Sequence, residues 1–212
     1  LEVTSVSAAA LASVSNVETL AVTGSSTVSL SSDLSFANID LSNTSAQNLT
    51  FATGYTAATT VNLGGAIGNS VDTIVNTANI DLTIDSTDAG LMTSGVTITG
   101  GTGTDAMIVT ADAADTIDFT NITKVDSLTI RDGSLSGDDV IVSLGAYATA
   151  LTIDASALNG TDEVLTVDGN SATKALTITA SGGADEITGG AGNDTITLGS
   201  GNDTYNEFDG ND

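Results

Sequence analysis

The chain has 212 residues, of which 27 are Asp or Glu and 3 are Lys or Arg, giving a net charge of −24. So few cations cannot neutralise phosphates, which excludes nucleic acid and anionic membrane surfaces as partners. His, Cys and Pro are absent, so disulfides, Cys/His zinc sites and imidazole catalysis are excluded too.

Apolar residues reach 40%, yet aromatics only 3%, which favours a thin, stacked β core over one thick core. A compact state with this charge repels itself unless cations offset it. Divalent ions are the obvious remedy. No apolar run approaches the 18 residues of a membrane-spanning helix.

The opening, LEVTSVSAAALASV, has no initiator Met and no positive n-region of a signal peptide. The chain is read as a piece of a longer protein, with any export signal or anchor outside it. The Ala-rich stretch Val6 to Val17 predicts a short helical turn. From Leu20 onward, strand-like triplets recur every ten to twelve residues. They include Leu20-Ala21-Val22, Leu49-Thr50-Phe51, Val61-Asn62-Leu63, Leu82-Thr83-Ile84, Leu128-Thr129-Ile130, Leu151-Thr152-Ile153 and Leu176-Thr177-Ile178. Alternation of apolar and polar residues, followed by Gly, Ser, Asn or Asp, predicts short strands joined by turns.

Mid-chain, Gly100-Gly101-Thr102-Gly103-Thr104-Asp105-Ala106-Met107-Ile108 fits G-G-x-G-x-D-x-U-x throughout, U being a large apolar residue. Asp105, with Gly101 and Gly103, is a candidate metal site. The competing reading is a plain turn Asp holding its own backbone. The half-motifs at Asp139 and Asp162 leave the same two readings open.

The motif Asp-x-apolar also sets a longer period. It occurs at Asp72, Asp105, Asp115, Asp139, Asp162, Asp185, Asp194 and Asp203, and from Asp115 the steps are 24, 23 and 23, then 9 and 9. Residues 115–185 therefore predict three rungs of about 23 residues with two strands each. Such repeats signal a solenoid, in which each unit buries its apolar edge against its neighbours. Three segments follow: an irregular β-solenoid over 1–110, a β-helix over 111–180 and a tighter roll over 181–212, possible as one continuous solenoid.

That last segment is ASGGADEIT, GGAGNDTIT, LGSGNDTYN and EFDGND, a frame of nine residues without a slip. Asp185, Asp194, Asp203 and Asp212 recur at one place in the frame. Gly183, Gly192, Gly201 and Gly210 lie two residues before each Asp; Gly189, Gly190 and Gly199 occupy leading positions. Glycine allows a tight turn with positive φ. A carboxylate beside such a turn, with the turn's own carbonyls, offers the hard oxygen ligands that suit Ca²⁺. The x-U-x triplet is a short strand with one side chain turned inward. Two nine-residue units close one coil, so Asp185 is paired with Asp203, and Asp194 with Asp212.

This frame resembles the RTX (repeats-in-toxin) calcium-binding β-roll. The resemblance implies a right-handed parallel β-helix ending in a β-roll. It implies Ca²⁺ between stacked turns, held by Asp185, Asp194, Asp203 and Asp212 and by glycine-turn carbonyls. A second pattern, V-(E/D)-(T/S)-L-x-(V/I), occurs at Val17–Val22 and Val125–Ile130. It is similar to an element of proteobacterial S-layer proteins of the Caulobacter type. That resemblance implies a secreted, calcium-stabilised segment of a cell-surface lattice. Its partners are other copies of the chain, joined through calcium, and cell-surface polysaccharide reached by parts outside this segment. The stalk of a large RTX adhesin and the RTX appendage of an exported hydrolase are the alternatives. No G-x-S-x-G, H-E-x-x-H or phosphate loop is present, so no enzyme activity is expected.

Overall fold

The computed structural model describes residues 2–3, 17–31, 34–42, 46–64, 72–89, 95–112, 114–133, 137, 139–207 and 210. The helical turn expected over Val6 to Val17 falls almost wholly outside them. In chain order the strands are β1 (Glu2–Val3), β2 (Thr19–Val22), β3 (Ser26–Leu30), β4 (Asn38–Asp40), β5 (Gln47–Phe51), β6 (Thr59–Gly64) and β7 (Thr73–Asn76). Then come β8 (Leu82–Ser86), β9 (Thr97–Thr99), β10 (Asp105–Ala111), β11 (Asp115–Asp118), β12 (Ile122–Thr123), β13 (Ser127–Asp132) and β14 (Val140–Ser143). The last are β15 (Leu151–Asp154), β16 (Leu165–Asp168), β17 (Leu176–Thr179), β18 (Glu186–Thr188), β19 (Thr195–Thr197) and β20 (Thr204–Asn206).

These strands stack, all parallel, into three sheets of a β-solenoid. The first sheet has ten strands in the order β1-β2-β4-β6-β8-β10-β13-β15-β17-β19. It runs unbroken from β10 to β13 and from β17 to β19. Early coils close against a second sheet, β3-β5-β7-β9-β12, and later coils against a third, β11-β14-β16-β18-β20. Period-two alternation places rows of apolar side chains inside each sheet. In the first sheet Leu20, Ile39, Val61, Ile84, Met107, Leu128, Ile153, Ile178 and Ile196 lie in direct register. Val28, Leu49, Ile74, Ile98 and Ile122 line the second sheet, and Ile117, Val142, Val167, Ile187 and Tyr205 the third.

The coil between β10 and β13 visits all three sheets. Its corner is a 3-10 turn, Phe119–Asn121, capped by Asp118, whose Oδ1 accepts the Thr120 N–H at 2.8 Å. After it the second sheet stops, because Leu144–Ala150 forms no strand. Tyr147 is buried there, beneath a groove lined by Phe119, Ile122, Leu144 and Ala148. Its hydroxyl accepts the Val125 N–H at 2.7 Å and donates to the Val125 carbonyl at 2.5 Å. Its ring meets Phe119 edge-on at 5.1 Å. Tyr55 anchors an earlier coil the same way, on the backbone of Phe36 and against Phe51.

Rung length departs from the expected 23. Ile117, Val142 and Val167 are 25 residues apart in register, and Val167 to Ile187 is 20. The Asp marker slips against the ladder: Asp115 pairs with Val140 rather than Asp139, and Val140 with Leu165 rather than Asp162. Ile178 to Ile196 and Ile187 to Tyr205 are 18 apart, two nine-residue units.

Candidate metal centre

The turns that carry the recurring Asp lie along the two edges of the flattened coil. Residues 180–185 lead from β17 to β18, residues 189–194 return to β19, and residues 198–203 lead to β20. Each Asp stands just before its strand, and Asp185 and Asp194 each clamp two backbone segments. Asp185 Oδ1 accepts the Leu165 N–H at 2.7 Å from the coil before, and Oδ2 accepts the Ser181 N–H of its own turn at 3.0 Å. Asp194 repeats this with Leu176 at 2.8 Å and Gly190 at 2.8 Å. Asp203 Oδ1 takes the Asp185 N–H at 3.1 Å. Asp105 follows the same rule: Oδ2 accepts the Gly101 N–H at 2.6 Å, and Leu82 in the coil before also donates its N–H.

Glycine is required where these turns stack. Gly199 and Gly201 have φ of +82° and +123°, and a Cβ on either would run into the carbonyl oxygen of Ser181 or Gly183 one coil below. A Cβ on Gly189 would come within 2.6 Å of Asp194 Oδ2, and on Gly190 within 2.8 Å of the Ala172 carbonyl. One on Gly183 would strike the Glu163 carbonyl, and one on Gly192 the Ala175 backbone. The glycines thus keep open a cradle walled by carbonyl and carboxylate oxygens.

Burial makes these carboxylates expensive to ionise. Asp185 is 1% exposed and Asp105 2%. Burial pushes both above the usual carboxylate range, and hydrogen bonds from Ser181 and Leu165, or from Gly101 and Asn76, offset only part of this. The neighbouring Asp203 and Asp126 charges push further in the same direction. Side-chain cations give no relief: Arg131 pairs with Asp85, and Lys124 and Lys174 are exposed. An oxygen-only donor set around a glycine cradle, with uncompensated negative charge, fits Ca²⁺. Bound there, the ion would neutralise the carboxylates and tie adjacent turns together.

Asp185 and Asp203 meet along one edge, together with Gly183, Gly199 and Gly201. Asp194 lies on the other edge with Gly189, Gly190 and Gly192. Its expected partner Asp212 lies outside the described residues, and Gly210 is exposed with φ +129°. Asp105, Gly101 and Gly103 form a separate turn near the middle of the chain. Asp139 Oδ1 accepts the Val164 N–H at 3.2 Å. Two residues escaped the sequence reading. Glu163, 6% exposed, clamps the Gly160 N–H at 2.6 Å, the role expected of Asp162 beside it. Asn76, 3% exposed, donates to Asp105 Oδ1 at 2.9 Å. The signal for Glu163 was Gly160 three residues before it; nothing in the spacing marked Asn76.

Stacked glycine–aspartate turns on a parallel two-sheet coil define a calcium-binding β-roll at the end of a β-solenoid. Residues 177–205 match the family model of the RTX calcium-binding nonapeptide repeat (4 copies). These repeats bind Ca²⁺, which is therefore the ion of this segment. No curated protein and no solved structure matches the chain. Among the described residues, no helix is long and apolar enough to cross a membrane.

Proposed function

We propose that this chain is a calcium-stabilised structural segment of an exported bacterial surface protein of the S-layer kind, without enzymatic activity. The observation that carries this reading is the stacking of Asp185 under Asp203 beside the oxygen-walled turns of a chain with net charge −24. Metal binding by such a segment is folding free energy. At low cytosolic Ca²⁺ the roll stays loose for export, and at high external Ca²⁺ it folds outside the cell. The outer surface supports lattice contacts through ions rather than through apolar burial. Among the described residues, Ile141 at 45% is the one large hydrophobic side chain that stands exposed. Strand residues facing outward are largely Thr, Ser, Asn and Asp, including Asp40, Asp118, Asp154 and Asp168. Calcium between acidic faces of neighbouring copies crosslinks the lattice.

A Ca²⁺ titration of the purified chain tests this, followed by circular dichroism and light scattering with Mg²⁺ as control. A calcium-specific gain of β signal followed by particle growth is expected. A β gain without growth moves the reading to an adhesin stalk. No response up to millimolar Ca²⁺ removes the metal role altogether.

A further inference from the structure

The second sheet ends at β12, and the stretch that would carry its next strand reads Leu144-Gly145-Ala146-Tyr147-Ala148-Thr149-Ala150. Leu144 and Tyr147 are buried, while Gly145, Ala146 and Ala148 are exposed and too small to cover the gap beside β12. A groove of about 540 Å³ results, floored by Phe119, Ile122, Leu144 and Tyr147. Lys124 stands at its edge, exposed and without an ion pair among the described residues. The Lys124 backbone is left-handed, with φ +57°, a strained conformation for a residue with a Cβ. Tyr147 clamps Val125, the next residue, and so fixes where the lysine side chain starts. An apolar groove of this size, edged by a few polar groups, is of the kind that takes a ligand or a partner's side chain.

The second observation concerns a different face. In β14, Val140 and Val142 are buried, and Ile141 points out of the third sheet at 45% exposure. Its register neighbours there are Thr116 and Thr166, and Glu186 continues the row. Strand geometry therefore does not demand isoleucine at this position, since threonine serves on both sides of it. Ile141 does not line the groove of its own chain. Asp118 and Asp168 flank it in the adjoining row, and the exposed Asp139 lies two residues before it. An apolar knob framed by three carboxylates thus matches an apolar groove edged by an unpaired ammonium.

We propose that this groove receives Ile141 of a second copy of the chain, with Lys124 facing the carboxylates that surround the incoming side chain. It rests on the reading that copies of this chain associate, and it gives that association one defined contact. A single isoleucine buries far less than the roughly 1,000 Å² that a lasting interface needs. The contact therefore does not hold two copies by itself. It adds to the ions that bridge acidic faces and fixes where one copy meets the next. Charge complementarity around an apolar anchor supplies that specificity, which calcium between dispersed carboxylates does not.

Sedimentation velocity of the full chain with Ca²⁺ tests the contact in wild type, Ile141→Thr and Ala148→Glu, and disulfide trapping gives a second measurement. Threonine already occupies the neighbouring positions of the row, so Ile141→Thr should keep the fold. It is expected to weaken association about three- to tenfold, the share of a full isoleucine burial that a side chain 45% exposed has still to gain. Ala148→Glu, which places a carboxylate in the groove, is expected to weaken it at least as much. The chain has no Cys, so Ile141→Cys and Ala148→Cys chains give a clean mixing experiment. The mixture is expected to form a disulfide dimer about tenfold faster or more than either variant alone, because only the mixture brings two sulfurs within bonding range. Association unchanged in Ile141→Thr, or a mixture that crosslinks no faster than its parts, overturns the contact and leaves association through ions standing. Loss in Ala148→Glu but not in Ile141→Thr gives the groove to another segment of the second copy and overturns Ile141 as its occupant. A wild-type chain that stays monomeric with Ca²⁺ removes the lattice reading and this contact together.

Discussion

Asp203 accepts the backbone N–H of Asp185 at 3.1 Å, across one coil and 18 residues of chain. The contact puts two acidic residues in one stack, one held at 1% exposure and the other half-buried above it. Repulsion between them is relieved by a bound cation or by protonation, and burial with the Asp203 charge raises the Asp185 pKa accordingly. The repeat therefore stores its dependence on metal in the ladder register itself.

Asp194→Asn separates the two roles of such a residue. An amide oxygen can still accept the Leu176 N–H, but the amide nitrogen cannot accept the Gly190 N–H, and the charge that attracts the ion is gone. We expect Ca²⁺ affinity at that edge to fall at least tenfold, which is 1.4 kcal/mol or more. Without Ca²⁺ the melting temperature should fall by the cost of the orphaned Gly190 N–H, about 1–3 kcal/mol, and with Ca²⁺ it should fall further. Parallel calorimetric titrations and thermal melts in chelator check both halves. Equal destabilisation with and without Ca²⁺ would assign Asp194 to backbone capping alone.

Two glycines with positive φ give a matched comparison. Gly201→Ala must accept a left-handed backbone and also a collision with the Gly183 carbonyl. At Gly145, φ is +53° but a Cβ would meet nothing within 4 Å. The conformational penalty alone is about 1–2 kcal/mol. Gly145→Ala should lose about that much in urea unfolding. Gly201→Ala should lose clearly more and bind Ca²⁺ less tightly. Equal losses would mean that close stacking of the turn on Gly183 contributes nothing.

The nine-residue spacing made the final roll readable because each inward residue and each turn residue recurs in phase with the ladder. Ile187, Ile196 and Tyr205 lie where an 18-residue coil puts them. The earlier coils were readable as strands but not as rungs. Their turns differ in length, so Asp139 and Asp162 drift from the ladder while Val140 and Leu165 stay on it. The handover from the second sheet to the third was hidden for another reason. It depends on Tyr147 reaching the backbone of Val125, 22 residues away, and no local pattern encodes that distance. Asn76 was hidden likewise, since its partner Asp105 is 29 residues on.

Tyr147 should confer an alkaline limit. Burial pushes its phenol up to about 12 from its ordinary 10.0. A group whose folded pKa is raised contributes stability below its unfolded pKa and loses it as pH climbs through the folded value. Stability should therefore fall between pH 10 and pH 12. Tyr147→Phe should remove that part of the fall. The same substitution orphans the N–H and carbonyl of Val125, at about 1–3 kcal/mol. Urea unfolding of both proteins from pH 8 to pH 12 separates the terms: the variant should be less stable at pH 8 and show a flatter alkaline limb.

The acidic side should reverse sign with calcium. Burial raises Asp72, Asp105 and Asp185 above their ordinary 3.8 in the folded chain. Between 3.8 and those raised values the folded state holds more protons than the unfolded one. In metal-free protein, stability should therefore rise as pH falls through that window, and relief of the −24 net charge acts in the same direction. With Ca²⁺ bound the order inverts. The ion needs ionised carboxylates, so protons compete with it, and stability should fall as pH falls. Thermal melts from pH 4 to pH 8, with metal-stripped protein and with millimolar Ca²⁺, should give slopes of opposite sign. Parallel slopes would mean that the buried aspartates do not exchange protons for calcium, and that their burial serves only the backbone clamps on Leu165, Gly101 and Gln47.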